Sequence, residues 1–343
     1  MTPDQLFMQR AIELAQLGAG QVSPNPLVGC VVVHEGEIIG EGWHQKVGEV
    51  HAEVNAINAV KNKSILSQST LYVNLEPCSH FGRTPPCADL LIEHKIEKVI
   101  IANRDPNPTV NGKGIEKLKA AGIEVIQGVL EKEGLELNKR FFTSINMQRP
   151  YVILKWAQTT DGFIAREDFD SRWISNEYSR SYVHKWRSEE DGILVGFNTA
   201  AHDNPQLTTR DWLGKNPVRI VIDKNLELDP TLHLFDGSTP TICYNFKKQE
   251  ELGNLFFVKL VNEDIETQIL ANLFAKGLRS IIVEGGTKTI NSFLSRGLWD
   301  EARVFISNKE FGVGIKAPVA IGVQKRRDDI LGDKLIVFEN VGP

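Results

Sequence analysis

No stretch of the 343 residues approaches the roughly 20 consecutive apolar residues that cross a bilayer, so a membrane-spanning chain is not expected. Basic charge is not in excess either. Thirty-nine Lys and Arg stand against 44 Asp and Glu, a formal charge of −5. Without a positive global field, tight electrostatic binding to nucleic acid is disfavoured, and no nucleic-acid partner is expected; local basic patches stay open. Cysteine is scarce: Cys30, Cys78, Cys87 and Cys243. The opening MTPDQLFMQRAIELAQLG lacks the basic leader and apolar core of a signal peptide. A chain this long with no secretion signal needs no disulfide staples, so a reducing cytoplasmic setting is expected. The chain also lacks a G-x-G-x-x-G turn, a repeat and any low-complexity segment, which argues against a Rossmann dinucleotide site and a solenoid.

What is present is ordinary globular composition, 41% hydrophobic and 24% charged, long enough for two domains with separate cores. The N-terminus reads as an amphipathic helix: Thr2 caps, Pro3 takes the first helical position, Gln5 closes a capping box and Gly18 ends it. LVGCVVV (27–33) and EIIGEGW (37–43) flank His34-Glu35-Gly36 as a hairpin. Helical periodicity at 51–60, 88–95 and 112–121 alternates with strands at 71–75, 98–102 and 123–127, the pattern of an α/β layered sheet. The residue before Pro150 is driven out of helical space, and a new strand begins at Tyr151. The domains are therefore drawn at 1–146 and 147–343. Strands at 151–157, 193–196, 218–223, 241–244, 281–286 and 302–307, with helices near 176–189, 264–276 and 287–296, continue the α/β style.

His51-Ala52-Glu53 is followed by Pro77-Cys78 and, after eight residues, by Cys87. Taken singly, these would be a core histidine and small buried hydrophobes. As an ordered set they match zinc's preference for imidazole and thiolate, with three protein ligands and one open position in a catalytic site. Cys87 opens the 88–95 helix, whose dipole favours a thiolate. Glu53 is spaced to move protons at the metal without ligating it. Zinc deaminases of bases and nucleosides carry H-x-E followed by P-C-x-x-C; here the second element is longer. The second half is quieter. IIVEGGTKTINSFL (281–294) runs from an apolar strand through two glycines into a helix, an arrangement that offers backbone N–H groups to an anion. ILVGFNTAAHDNPQLTTR (193–210) reads as a strand followed by a polar loop.

Ser23-Pro24-Asn25-Pro26-Leu27-Val28-Gly29, His51-Ala52-Glu53-Val54, LEPCSHFGRTPPC (75–87) and DPNPTVNGKG (105–114) together resemble the bifunctional riboflavin-biosynthesis deaminase–reductases, where the long Cys78–Cys87 spacing is a family feature. The resemblance runs over essentially the whole chain. It implies an α/β fold with a cytidine-deaminase-like three-layer N-terminal domain and a dihydrofolate-reductase-like C-terminal domain. The implied substrate is a small molecule, a diaminopyrimidinone carrying a phosphoribosylamino group, with one Zn2+ per chain and NADPH as cofactors and a homo-oligomeric assembly. His51, Cys78 and Cys87 fall at the zinc ligands and Glu53 at the proton shuttle. Asn25, His44, Arg83 and Asp105 fall at the deaminase substrate contacts. In the reductase half, Lys155, Ser171, Arg187, Leu207, Arg210 and Glu284 match substrate positions. Ala157, Trp173, Thr199 and Asp203 match cofactor positions, as do Gly286, Thr287, Lys288, Thr289, Ile290, Asn291 and Ser292. Arg187 and Arg210 are expected to clamp phosphate through their guanidinium forks.

Three departures stand out. Thr159-Thr160-Asp161-Gly162 replaces the usual Ser-Leu-Asp-Gly, Trp173-Ile174-Ser175-Asn176 replaces Trp-Ile-Thr-Gly, and the tail after Ser307 is hard to match. They leave open a deaminase whose C-terminal half only binds or oligomerises. A nucleic-acid base deaminase is disfavoured by the acidic balance and by the SHFGRTPP insertion.

Overall fold

Thr2 and Gln5 form the expected reciprocal cap, the Thr2 N–H donating to Gln5 Oε1 at 2.9 Å and the Gln5 N–H to Thr2 Oγ1 at 3.3 Å. They start α1 (Pro3–Gln16). The computed structural model describes residues 1–81, 85–168 and 174–342, and the chain divides into two units, Met1–Gln148 and Arg149–Pro343.

In the first unit the apolar run becomes β1 (Gly29–His34), turning at Glu35-Gly36 into the antiparallel β2 (Glu37–Trp43). α2 (Ala52–Ala59), β3 (Thr70–Leu75), α3 (Cys87–Glu93), β4 (Lys98–Asn103), α4 (Lys113–Ala120), β5 (Glu124–Gln127), α5 (Glu131–Leu137) and α6 (Lys139–Met147) follow. The sheet order is β2-β1-β3-β4-β5, with β3, β4 and β5 parallel. Strand alternation sorts β1 between two cores. Cys30 and Val32 pack with Ala56, Ile57 and Leu91 on one face, while Val31 and Val33 pack with Met8 and Ile12 of α1 on the other. The result is three layers. α2 lies directly on the backbone of β2, because a Cβ at Gly42 would fall 2.4 Å from the Ala56 nitrogen and 2.7 Å from the Ala52 oxygen.

The second unit comprises β6 (Tyr151–Gln158), β7 (Phe163–Ala165), α7 (Glu177–Glu189), β8 (Gly192–Gly196), α8 (Phe197–Asp203), β9 (Val218–Ile222), β10 (Thr241–Asn245), β11 (Glu250–Leu252), β12 (Leu255–Lys259), α9 (Ile265–Ala275), β13 (Ser280–Glu284), α10 (Thr287–Ser295), β14 (Glu301–Ile306), β15 (Ile315–Lys316), β16 (Val323–Ile330) and β17 (Asp333–Glu339). Ten strands form one sheet in the order β11-β12-β10-β9-β8-β13-β6-β14-β17-β16. Its seven inner strands, β12 to β14, are parallel and read as near-continuous apolar runs because helices cover both faces. Ile269, Leu273, Ile290 and Phe293 of α9 and α10 fill one face, and Val183, Trp186 and Ala200 of α7 and α8 the other.

The structure revises two readings and explains two departures. The segment expected as a polar loop after β8 contains α8, a seven-residue helix too short for a periodic apolar face; Ala200 is its buried residue. The tail after Ser307 returns to the sheet, β17 pairing with β14 and β16 with β17. Asn176 caps α7, accepting from the Ser179 N–H at 2.8 Å and donating to the Ile330 oxygen at 2.7 Å, so it ties the helix to the β16–β17 hairpin. Thr159 supplies the hydroxyl of its turn, donating to Asp161 at 2.5 Å and accepting from the Phe163 N–H at 3.0 Å.

Asp161 also accepts from the N–H groups of Phe311 at 3.0 Å and Gly312 at 2.7 Å. These bonds hold its carboxyl below the usual range, the Thr159 hydroxyl contributing most. They anchor the ribbon in which β15 pairs with β7, and Thr287 donates to the Lys316 oxygen at 3.0 Å. Asp161→Asn is expected to quicken amide hydrogen exchange at 311–316, the modest effect of an exposed charge-assisted contact, with exchange in the first unit unchanged; hydrogen-exchange mass spectrometry checks it.

Candidate active sites

Among the described residues, His51, Cys78 and Cys87 form a group able to hold an ion, their ligand atoms all within 4.8 Å of one another. His51 is the N-cap of α2, in extended conformation, and its side chain makes no capping hydrogen bond to the helix it opens. Cys78 follows the end of β3, and Cys87 is the first residue of α3. His51 Nδ1 lies 3.3 Å from Cys87 Sγ and 3.6 Å from Cys78 Sγ, and the Cys87 N–H donates to Cys78 Sγ at 3.3 Å. Sharing a hydrogen bond with Cys87 draws the Cys78 thiol down to about 4 against the cost of burial. The same bond, with burial, pushes Cys87 up. Cys87 opens α3 as expected; of the two sulfurs Cys78 is the lower because it also lies beside His51 and accepts from the Cys87 N–H, leaving the shared proton on Cys87. A bound cation would displace that proton, since metal ligation requires both thiolates. One imidazole and two thiols fit zinc.

Glu53 is 3% exposed, one residue into α2. Burial pushes its carboxyl up, and the charge of Cys78 adds to the effect. The His44 ring stands edge-on to His51 with centroids 5.6 Å apart. Its Nε2 is 3.1 Å from Asn25 Nδ2 and its Nδ1 3.2 Å from the Val50 oxygen. Asn25 is placed by Leu27, whose backbone is held by Asn74 and Asn138 at 2.8–2.9 Å. Asp105 is 8% exposed; burial first of all pushes it up to about 6. Asn25, His44 and His51 are thus gathered, and Asp105 lies within electrostatic reach of Cys78. Arg83 lies outside the described residues.

The second unit holds a cleft of about 780 Å³, within the range of about 300–1,000 Å³ usual for ligand sites. It opens where β6, β8, β9 and β13 end, lined by Lys155, Ala157, Gly196, Ile222 and Glu284. Crevices at the carboxyl ends of parallel strands are where open α/β sheets bind ligands. Thr199, Asp203, Arg210, Gly286, Thr287, Lys288, Thr289, Ile290 and Ser292 also line it. A Cβ at Gly285 would sit 2.7 Å from Thr199 Oγ1, so the turn into α10 can approach α8 only without a side chain. Asn291 is on the exposed side of α10 and Leu207 is 2% exposed in the core, with φ +56°; neither lines the cleft. Ser171 and Trp173 lie outside the described residues.

Glu284 accepts from Arg187 NH2 at 2.9 Å, and Lys155 Nζ stands 3.9 Å away. Burial opposes ionisation of Glu284, but Arg187 and Lys155 outweigh it and hold the carboxyl below its usual range. Burial pushes Lys155 down. Arg187 also lines the cleft, giving one arm to Glu284 and the other to the Thr208 oxygen at 3.2 Å. Glu284 Oε1 and Arg187 Nε, on two cleft-lining residues, are buried without a hydrogen-bond partner, unusual for polar atoms of a folded chain. Glu284→Gln is expected to destabilise the second unit by about 3 kcal/mol, the cost of breaking a buried charge network, and thermal melting checks it. Asp223, Lys224, Asn225 and Glu227 were absent from the sequence-derived set but also line the cleft. The strand ending at Ile222 was the available signal.

An imidazole and two thiols beside a buried glutamate define a zinc-dependent deaminase module, and a parallel-sheet cleft with a glycine turn into a helix fits a nucleotide-dependent reductase module. Family models agree: the cytidine and deoxycytidylate deaminase zinc-binding region matches residues 1–103, and the RibD C-terminal domain matches residues 150–328. The riboflavin biosynthesis protein RibD of Aquifex aeolicus is 41% identical over 98% of both chains, and that of Escherichia coli 34% identical over 99% of this chain and 97% of the relative. A crystal structure of a diaminohydroxyphosphoribosylaminopyrimidine deaminase/5-amino-6-(5-phosphoribosylamino)uracil reductase from Thermotoga maritima superposes with a TM-score of 0.91 at 39% identity, covering 98% of this chain and 99% of that one. Acinetobacter baumannii RibD gives 0.90 at 30% identity over 99% of both. The chain belongs to the RibD family of riboflavin biosynthesis proteins, bifunctional deaminase–reductases that use zinc in one half and NADPH in the other.

Proposed function

We propose that the first unit removes the ring amine of 2,5-diamino-6-(5-phosphoribosylamino)pyrimidin-4(3H)-one as ammonia, and that the second reduces the ribosyl chain of the product to a ribityl chain. The observation that carries the first half is the convergence of His51, Cys78 and Cys87 with buried Glu53 alongside. His51 and the two sulfurs would hold the zinc, which would supply Lewis acidity able to bring the pKa of a water to about 7. Glu53, buried beside these ligands, would accept a proton from the attacking water and return it to the departing amine. Asn25 offers donor and acceptor to the pyrimidine edge. His44 orients that amide, and Asp105 closes the same side. Arg83 is assigned to the phosphate by its charge.

In the second unit Lys155 and Glu284 would hold the sugar hydroxyls and Arg210 the phosphate, with Ser171 assigned to the same substrate by the resemblance alone. The turn and helix from Gly286 to Ser292 would carry NADPH with Ala157, Thr199 and Asp203, joined by Trp173 on the resemblance alone, and the cofactor would supply the hydride. The protein's part is chiefly positioning. A homo-oligomer in the cytoplasm belongs to the same reading, and sedimentation velocity tests the assembly. The deciding experiment combines zinc analysis with ammonia and NADPH assays. One zinc per chain, ammonia from the diamino substrate and NADPH oxidation by the deaminated product are expected. Ammonia without any NADPH oxidation would leave the second unit a binding module.

A further inference from the structure

One buried carboxylate next to the metal ligands takes no part in the scheme above. Glu76 immediately follows β3, two residues before Cys78, and is 4% exposed. Its Oε2 accepts from the N–H of Asp105 at 3.2 Å and of Gly112 at 2.9 Å, and its Oε1 from those of Gly114 at 3.0 Å and Ile115 at 3.3 Å. All four donors are peptide groups of one segment, residues 105–115. The two carboxyl oxygens offer enough lone pairs for all four N–H donors, and two of those donors belong to the first turn of α4, whose dipole adds to the attraction. Gly112, the N-cap of α4, has no side chain to cap with, so Glu76 does it from another strand. The same segment closes on the next residue: a Cβ at Gly114 would lie 2.0 Å from the Pro77 oxygen. Asp105 begins the segment and turns back on itself, accepting from the Asn107 N–H at 2.8 Å.

We propose that Glu76 is a positioning residue for the deamination, gathering these four N–H groups so that Asp105 is held in fixed relation to Cys78. The inference rests on reading Asp105 as a substrate contact. A glutamine would keep the volume but present one amide NH2 to N–H groups that need an acceptor, so half the clamp turns from attraction to repulsion. An aspartate keeps the charge but is one methylene short.

The test compares Glu76→Gln, Glu76→Asp, Asp105→Asn and the Glu76→Gln/Asp105→Asn double variant in the full-length zinc enzyme. Glu76→Gln is expected to raise KM for the diamino substrate about 10- to 100-fold, the range for a charge-assisted hydrogen bond, with kcat within about threefold. Zinc should stay at one per chain, NADPH oxidation with the deaminated product should be unchanged, and amide hydrogen exchange over 105–115 should quicken. Glu76→Asp should recover part of the loss. In the double variant the KM effects should fall short of their product, because both residues act on one contact. A Glu76→Gln KM within twofold of wild type, while Asp105→Asn raises it, overturns the proposal and leaves the Asp105 reading standing. Unchanged KM in both single variants removes that reading and the proposal with it. Loss of zinc in Glu76→Gln also overturns the proposal, making Glu76 a support of the metal alone.

Discussion

Glu53→Gln is expected to keep one zinc per chain and to release ammonia about 10²- to 10⁴-fold more slowly, the range for removing a positioned acid–base group. The substitution is nearly isosteric. Glu53 lies inside α2, packed with 3% of its surface exposed, so a neutral amide of the same shape leaves the helix and the His51 cap in place. What disappears is a group that can both accept and return a proton. Elemental analysis and an ammonia assay report the two outcomes separately. Ammonia release above about a tenth of the wild-type rate would remove Glu53 from the proton path. NADPH oxidation with the deaminated product should proceed as in wild type.

Cys87→Ser should abolish deamination by a different route, through loss of the ion. A serine hydroxyl does not ionise near neutral pH, and structural surveys place thiolate, imidazole and carboxylate at zinc. Cys87 is 1% exposed, and its sulfur is the atom nearest His51 Nδ1 in the cluster. With two donors left, zinc content should fall well below one per chain. Ligand binding stabilises whichever state it prefers, so the melting of residues 1–148 should drop and no longer respond to a chelator, whereas the wild-type melt should fall when the chelator is added. The reductase residues Lys155, Arg187 and Glu284 belong to the other unit. Complete loss of NADPH oxidation in this variant would contradict two independently folded sites.

The first unit was the more legible in the sequence, for a physical reason. Metal ligation demands particular atoms, so His51, Glu53, Cys78 and Cys87 announce themselves by type and order. The strands were readable because β1 and β3 are apolar on both faces and bounded by turn residues. The second cleft is built largely from backbone and from ends of strands, and any residue can supply a peptide group. That is why Lys224 and Asn225 went unnoticed while Asn291, one residue from the cleft-lining Ile290, was included: family stretches carry no helical phase. Arg187 was legible as a charge but not as the partner of Glu284, which lies 97 residues away in sequence. Glu76 was visible inside LEPCSH, yet its role depends on four N–H groups that no side-chain pattern reveals. The hairpin of β16 and β17 was missed because its outer strand is mostly charged and exposed.

The absent side chain at Gly42 reaches further than its size. Ala52, whose carbonyl that missing carbon would strike, separates the imidazole donor from the proton carrier. The height of His51 and Glu53 above the sheet is therefore governed from beneath, by a bare strand that lets their helix settle at full contact. A single methyl group inserted there would lift both together, disturbing the site without replacing any atom in it.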